Sequence, residues 1–565
     1  MKKDIDKVFA NLPPCAVEYI QLVIKKMRYR KKVRADVQSE LIAHFEDALS
    51  NCQNTEEKEK IAEELIAEFG DAKILGKLAR RAKKRCRPIW RTVVVRIFQT
   101  IGVIIIYFVL YCFYLTTGKP AIQVDYTQEY IRANRPKADE SLNAGVLYDR
   151  MFNVYVEPPK LSNEEKDDKN EYGSGSLLLS RLNDTKRPEE LNEEELTALY
   201  KWINDNNETI HLFLEASERP YCWWDFKTTS AESEFFLSMK LPNLRMIRDV
   251  VKLVSWQGRL EMDKGNFNNA ARNIIAIWNS GRHLWGPRTI VEQLVGIAIK
   301  AYSFATVRTI LTEHDLSKQQ LELLQGHLEK MFSNNTLYMN YQTERFMVRD
   351  FVQRCYTDNG RGNGHVIPSQ LAEFWDIATG DGHIPFSRAA FLGMAAIGVN
   401  RKDTVDAFEN FYDTAQQYAQ ITPWQLRQEN KTLDSFSNKL SRLKKIRYSN
   451  VLWLLPAFDK ANMLFHRLKI EGQSLILTFG ILRYQLDNNT LPQTLQQLKE
   501  AGYVSSIPID PFSGKEIVYK ITDNGFTLYS FGPNFDDDSG VQGKDRRGKI
   551  RKWADNGDAV FWPVQ

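Results

Sequence analysis

Hydrophobic and polar positions along this chain follow three rhythms in turn. Between Cys15 and Cys52 apolar residues recur at helical spacing: Ile20, Val23, Ile24 and Met27, then Val37, Leu41, Ile42 and Phe45. Recurrence at i, i+3, i+4 and i+7 marks one apolar helix face, so the segment predicts short helices packed on one another. Residues 55–84 repeat the pattern, with Thr55 before acids as a predicted N-cap and Gly70–Asp71 as a predicted helix end. Residues 1–80 are thus expected to form a helical domain of three or four helices.

The second rhythm is the absence of one. Ile97–Leu115 holds 19 residues with no charge and one strongly polar side chain, Gln99. That length spans the hydrocarbon core of a bilayer as a helix. A buried core helix is the alternative, but an amphipathic period is missing. The preceding stretch, Arg80–Arg91, carries seven basic residues and no acid. Trp90, Tyr107, Tyr111 and Tyr114 suit interfacial anchoring. A cleaved signal peptide does not fit, because some 95 residues precede the run. The expectation is one transmembrane helix at 97–115 behind a basic juxtamembrane segment at 81–96. The positive-inside rule puts the N-terminus in the cytoplasm and 118–565 in a periplasm-like space.

Residues 118–193 show little pattern. The charged, then Gly/Ser-containing stretch Lys160–Ser176 predicts an exposed linker. From 194 to 455 amphipathic periodicity returns, and "DKGNF" at 263–267 predicts the turn of a helical hairpin. Lys460, Arg467 and Lys469 interrupt the later apolar stretches and argue against a second span. The third rhythm begins after 500. "EIVYKI" and "FTLYSF" alternate as strands across "TDNG", a hairpin signal, and "AVFWPV" offers a third strand. The fold class is therefore mainly α: a cytoplasmic helical bundle, one membrane helix, an exported helical-hairpin body at 194–455, and a small α+β module with an antiparallel sheet at 456–565.

Composition narrows the chemistry. Apolar content of 43% supports real cores, and a net charge of +5 on 565 residues gives no case for nucleic-acid binding. Six cysteines without C-x-x-C spacing exclude a sequence-evident zinc site. Cys222 and Cys355 are the two that fall in the exported part, where a disulfide is permitted. No G-x-S-x-G, H-E-x-x-H, phosphate-binding loop or dinucleotide fingerprint is present. Arg282, His283 and Arg288 around Trp285 suit an anion site or, preferably, a capping and packing cluster. Asn359–Gln370 partly matches a calcium-binding helix–loop–helix pattern. Asn359, Asn363 and Gln370 would take positions 1, 5 and 12, with Arg361 at position 3. A glycine turn is the alternative. At Gly532–Gly540, "GPNFDDDSG" sets Asp536, Asp537 and Asp538 side by side, which calls for either full solvation or a cation.

Three resemblances add to these readings. "ADVQSELIAHFEDAL" and "AEELIAEFGDAKILGKL" resemble the helical domain at the N-termini of many bacterial membrane proteins and anti-sigma-factor-like regulators, over about 15–80. That resemblance implies a protein-binding role. "RPYCWWDF", "GRHLWGP" and "TIVEQLVGIAIKAYSF" resemble a group of membrane-anchored proteins of planctomycete-type bacteria, over about 200–360. The segment from about 460 to 565 is similar to the C-terminal part of the type II secretion major pseudopilin (the protein G family). It shares Asp510–Pro511–Phe512, Gly514, Tyr519, Leu528–Tyr529–Ser530, Gly532 and Asn556–Gly557–Asp558. This last resemblance implies calcium held by Asp536, Asp537, Asp538 and Asp558, with Asn534 and Ser530 assisting. Asn534 stands where that family carries an Asp, and its leader motif does not precede Ile97.

The functional expectation is a non-catalytic, single-pass inner-membrane protein that mediates protein–protein interactions in secretion or envelope assembly, with a calcium-stabilised C-terminal module. The alternatives are a transmembrane regulator whose cytoplasmic domain binds a sigma factor or similar partner, and a hydrolase with no sequence signature.

Overall fold

The computed structural model describes residues 9–52, 54–85, 89–162, 177–184, 187–224, 235–239, 241–333, 338–379, 387–433, 440–455 and 457–563. Most of the stretch expected as a linker, together with the Gly/Ser run at 173–176, lies outside them, as does part of the basic segment at 86–88. The described chain is mainly helical with one three-stranded sheet, and it divides into two compact units, Met1–Tyr111 and Cys112–Gln565.

The first unit contains α1 (Pro14–Met27), α2 (Lys31–Leu49), α3 (Thr55–Phe69) and α4 (Ala72–Arg85). The apolar faces read from the sequence meet as expected, with Ile20, Val23, Phe45 and Ala62 fully buried. Asn54 rather than Thr55 caps α3, accepting the Thr55 N–H at 2.9 Å. Tyr19 stacks on Phe69 and donates its hydroxyl to Gly70 O at 2.8 Å. Next comes α5 (Ile89–Thr116), a continuous 28-residue helix. From Val93 to Tyr114 none of its residues is buried.

In the second unit, α6 (Tyr126–Asn134), α7 (Ala144–Val154) and α8 (Leu177–Asp184) occupy the region expected to be irregular. Leu147, Tyr148, Met151, Leu178 and Leu182 join the main core there. That core continues through α9 (Glu193–Asp205), α10 (Asn207–Glu218), α11 (Leu244–Asp263), α12 (Phe267–His283) and α13 (Ile290–Glu313). The predicted hairpin turn is present at Gly265, whose φ of 78° is the left-handed conformation glycine tolerates. Further helices are α14 (Lys318–Phe332), α15 (Gln342–Cys355), α16 (Pro368–Thr379), α17 (Arg388–Ile397), α18 (Arg401–Tyr418), α19 (Pro423–Gln428), α20 (Arg442–Arg447), α21 (Ser449–Leu454), α22 (Phe458–Asn488) and α23 (Leu495–Glu500).

Four buried side-chain amides hold the non-helical segments of this unit. Gln353 accepts the Val124 N–H at 3.2 Å and donates to Val124 O at 2.7 Å. Asn206 makes the same two-way pair with Val156, Asn143 with Trp223, and Gln293 with Asn340. Each amide replaces the neighbour that a strand would supply, so buried backbone groups stay paired without a sheet. Gln353 thereby pins the strap that follows α5. The end of α5 is itself seated on the body: Leu115 is buried, and the Tyr114 ring lies 4.5 Å from that of His365. The chain then passes so close that a Cβ at Gly118 would stand 2.6 Å from Thr357 Cγ2.

At the C-terminus, β1 (Val518–Thr522), β2 (Gly525–Ser530) and β3 (Ala559–Trp562) form the antiparallel order β1-β2-β3. The turn between β1 and β2 is the predicted two-residue one, with Thr522 opposite Gly525. Ile470, Leu477 and Ile481 of α22 pack on Phe526, Leu528 and Phe561. This sheet module does not separate from the helical body. Arg308 on α13 reaches Glu471 on α22, donating to its backbone oxygen at 2.8 Å and to its carboxylate at 3.4 Å. Trp553 Nε1 donates to the same carboxylate at 2.5 Å. Lys552 lies 3.6 Å away. Burial opposes the charge on Glu471, yet Lys552, Arg308 and Trp553 together hold its carboxyl below the usual range.

Candidate functional site

The acidic loop starts where β2 ends. A tight 3-10 turn at Gly532–Asn534 is followed by Phe535 in the left-handed region, φ 67°. That conformation disfavours a bulky residue. Here the ring is fixed on both sides, by Phe512 at 5.9 Å and by the Arg427 guanidinium 4.6 Å above it. The carboxylates that follow have separate fates. Asp536 is exposed. Asp537 accepts the Tyr529 hydroxyl at 3.0 Å and the Ser539 N–H at 2.9 Å. Asp538 accepts Asn534 Nδ2 at 2.7 Å. Asp558, fully buried, accepts the Gly540 N–H at 2.6 Å and the Asp538 N–H at 3.3 Å. Ser530 turns to a different acid, donating its hydroxyl to Asp510 at 2.6 Å.

Asp538 and Asp558 are therefore brought together, while Asp536 and Ser530 stand apart from them. The donors are all oxygen, the class calcium requires. Among the described residues, however, no three His, Cys, Asp or Glu side chains converge as a metal site. Hydrogen bonds from the loop's own donors reach Asp537, Asp538 and Asp558. One feature of such a site persists. Burial, with the charges of Asp538 and Asp537, pushes the Asp558 carboxyl up to about 6 despite its two N–H donors.

The weaker candidate, Asn359–Gln370, is a closed hairpin. An isolated bridge pairs Tyr356 with Val366. Asn359 Oδ1 accepts the Arg361 and Asn363 N–H groups, and Asp358 Oδ1 accepts those of Gly360 and Gly362. Gln370 sits in the first turn of α16 and donates to Glu373 at 3.2 Å. Of the expected ligands, Asn359 thus bonds within its own turn and Gln370 within α16. The loop ties its own backbone, as Asx turns do.

The Arg282–Arg288 cluster is a packing assembly. Arg288 is buried, lies over the Trp223 and Trp224 rings, bonds Cys222 O, and approaches Glu292 at 3.5 Å. His283 contacts the Tyr148 hydroxyl and Arg219 O, both at 2.9 Å, and burial pushes it down to about 4. Cys222 and Cys355 are both buried free thiols.

No protein-family model, curated protein or solved structure matches this chain.

Two buried ionisable groups beside that cluster were not singled out from the sequence. Glu344 accepts the Ile290 N–H at 2.5 Å with one oxygen, while its other oxygen has no hydrogen-bond partner. Burial and the nearby Glu292 push it up to about 7. Lys300 is buried 5.4 Å from the Trp285 ring centre, and burial with Arg282 pushes it down to about 8. Its stem explains Gly281, where a Cβ would stand 2.8 Å from Lys300 Cγ. The only sequence signal for either was a charge inside an apolar helical period. Lys300 edges a small cleft with Trp285, Phe332 and Phe465, and neither group lines two larger ones among the described residues. One cleft, of about 230 Å³, is walled by Glu218, Arg272 and His327; the other, of about 240 Å³, by Tyr126, Arg349 and Arg401.

Proposed function

We propose that this chain is a non-catalytic, single-pass protein of the cell inner membrane that mediates protein–protein interactions in secretion or envelope assembly. Residues 1–95 are cytoplasmic and 118–565 periplasmic. One observation carries the reading. Along α5, Val103, Ile104, Ile105 and Ile106 are 66, 60, 56 and 61% exposed. A helix apolar on every side needs lipid around it, and an exposed one in water would aggregate. The seven cations without an acid at Arg80–Arg91 support the orientation. Alkaline extraction of membranes, followed by protease digestion of sealed vesicles of each orientation, tests it. The protein is expected to stay with the membrane, with 118–565 cleaved from one side only. Release into the alkaline supernatant overturns the anchor.

A long helix packed on a three-stranded antiparallel sheet supports the pseudopilin resemblance, and Asp558 supports calcium there. A divalent ion beside that carboxyl would offset the charge that Asp537 and Asp538 press on it. Calorimetric titration of the full chain with calcium is expected to give heat and a raised unfolding temperature that Asp558→Asn removes. Absence of both ends the calcium proposal.

A regulator is the second reading, favoured by α4. Ile74 and Leu78, one turn apart, are 60 and 54% exposed. Such a pair suits a partner helix. Photo-crosslinking in the full chain separates the two: capture of a sigma factor from a probe at Leu78 supports the regulator, and capture of envelope-assembly proteins from a probe at Leu323 supports the scaffold.

A further inference from the structure

The hairpin that receives the end of α5 also carries the most cationic short helix of the body. Gly364 O accepts the Arg401 N–H at 2.9 Å, and Arg447 O accepts the Val399 N–H at 3.1 Å. Val399 and Arg401 are two positions apart, at most about 7 Å of chain. α20 is thus fastened within roughly 15 Å of the residues that seat Tyr114 and Leu115.

The composition of α20 and α21 is unusual for a surface. Arg442, Lys444, Lys445 and Arg447 are all exposed, with no acid between Ser441 and Leu455. Between these cations Leu443 is 76% exposed and Ile446 52%, and Trp453 on α21 is 48% exposed. Leu443 has the highest exposure of any large apolar side chain described. Asp403 and Asp406 on α18 act on Tyr448, the residue that ends α20, together with its burial. Solvated cations alone would be an ordinary charged face. Aliphatic side chains set among them, with a Trp beside them, form the pattern of segments that lie in the headgroup region of a bilayer.

We propose that α20 and α21 form a docking face for the membrane surface: Leu443, Ile446 and Trp453 enter the interface, and the four cations bind anionic lipid headgroups. The proposal rests on the reading of α5 as a membrane span. That reading brings the bilayer to the hairpin at His365, and hence within reach of α20. The span and the docking face would together hold the body at two points, fixing its tilt where a single helix leaves rotation free.

The test places a photoreactive benzophenone amino acid singly at Val103, Leu443 or Leu323 in the full chain. The protein is reconstituted in vesicles of phosphatidylcholine with or without phosphatidylglycerol. Val103 reports the span, and Leu323 on α14 is a control, 44% exposed and apolar. The expected result is lipid adducts at 103 in both vesicles and at 443 mainly with phosphatidylglycerol, and few at 323. Replacing Lys444 and Lys445 with Gln should lower the yield at 443 by roughly tenfold. Adducts at 103 without adducts at 443 overturn the docking face and leave the span intact. Equal yields at 443 and 323, or protein adducts at 443, overturn it as well. No lipid adduct at 103 overturns the span and with it this inference.

Discussion

Among the described residues two helices satisfy the same length and apolarity requirement for crossing a membrane, Val93–Thr116 in α5 and Ile290–Glu313, which is α13. Their surroundings are opposite. None of the apolar window of α5 is buried, whereas 67% of that of α13 is. On the proposal that α5 spans a membrane both helices avoid water, and the difference lies in what replaces it. α13 is wrapped by protein, and three of its charged side chains, Glu292, Lys300 and Arg308, are buried. Each is met on arrival, Glu292 by its own capping box with Thr289, Lys300 by the face of Trp285, Arg308 by Glu471. α5 has no charge from Ile97 to Leu115 and therefore needs no such partners. A charge inside a long apolar helix is thus a signature of a prepared protein environment.

The comparison breaks most sharply at Glu471. Glu471→Gln leaves Arg308 buried and uncompensated, and unfolding of the body is expected to lose about 3–5 kcal/mol by denaturant titration. Adding Arg308→Met should recover much of that loss, because an apolar pair carries no desolvation cost. A stability unchanged by Glu471→Gln would mean that α13 does not depend on this partner.

Ile104→Arg places a charge in α5 and is expected to cost about 2.5–3.5 kcal/mol of membrane insertion. It should lower the fraction resistant to alkaline extraction and leave unfolding of the body as it was. Ile297→Arg in α13 should do the reverse, since Ile297 is 5% exposed. If both substitutions unfold the body, the contrast between lipid and protein cover fails.

The smallest effect is at Glu344, which caps the start of α13. Its carboxyl is raised to about 7 from an ordinary value of 4.5, so the native state favours its protonated form. Its contribution is complete below about pH 4.5 and is lost as pH rises to about 7. Glu344→Gln should raise stability by about 2 kcal/mol at pH 8 and change little near pH 4. Thermal unfolding across that range reads the difference, and a pH-independent effect would place the origin elsewhere.

The sequence made local features legible. The hairpin turn at Asp523–Asn524, the strands on either side, the turn at Gly265 and the unbroken apolar run of α5 depend on neighbours in the chain, and each appears where expected. What it concealed depends on distant residues. α6, α7 and α8 looked irregular because they are short, and their connections are paired by Asn143, Asn206 and Gln353, which periodicity cannot single out. Across the boundary expected before residue 456, Glu471 draws α13, α22 and the Trp553 loop together. In the acidic loop the sequence correctly identified a problem of repulsion. It did not show that Tyr529, Asn534 and the backbone N–H groups of Asp538, Ser539 and Gly540 would meet the carboxylates one by one.

The four amide clamps have a consequence of another kind. A carboxamide neither gains nor loses a proton in the range where carboxylates and imidazoles titrate, and with no net charge it is hardly touched by salt. The pairing of Val124 with Gln353, just beyond α5, is therefore indifferent to the pH and salt around it. Acidification or a change of salt will work first on Asp558, Glu344 and the surface ion pairs, leaving the amide clamps closed.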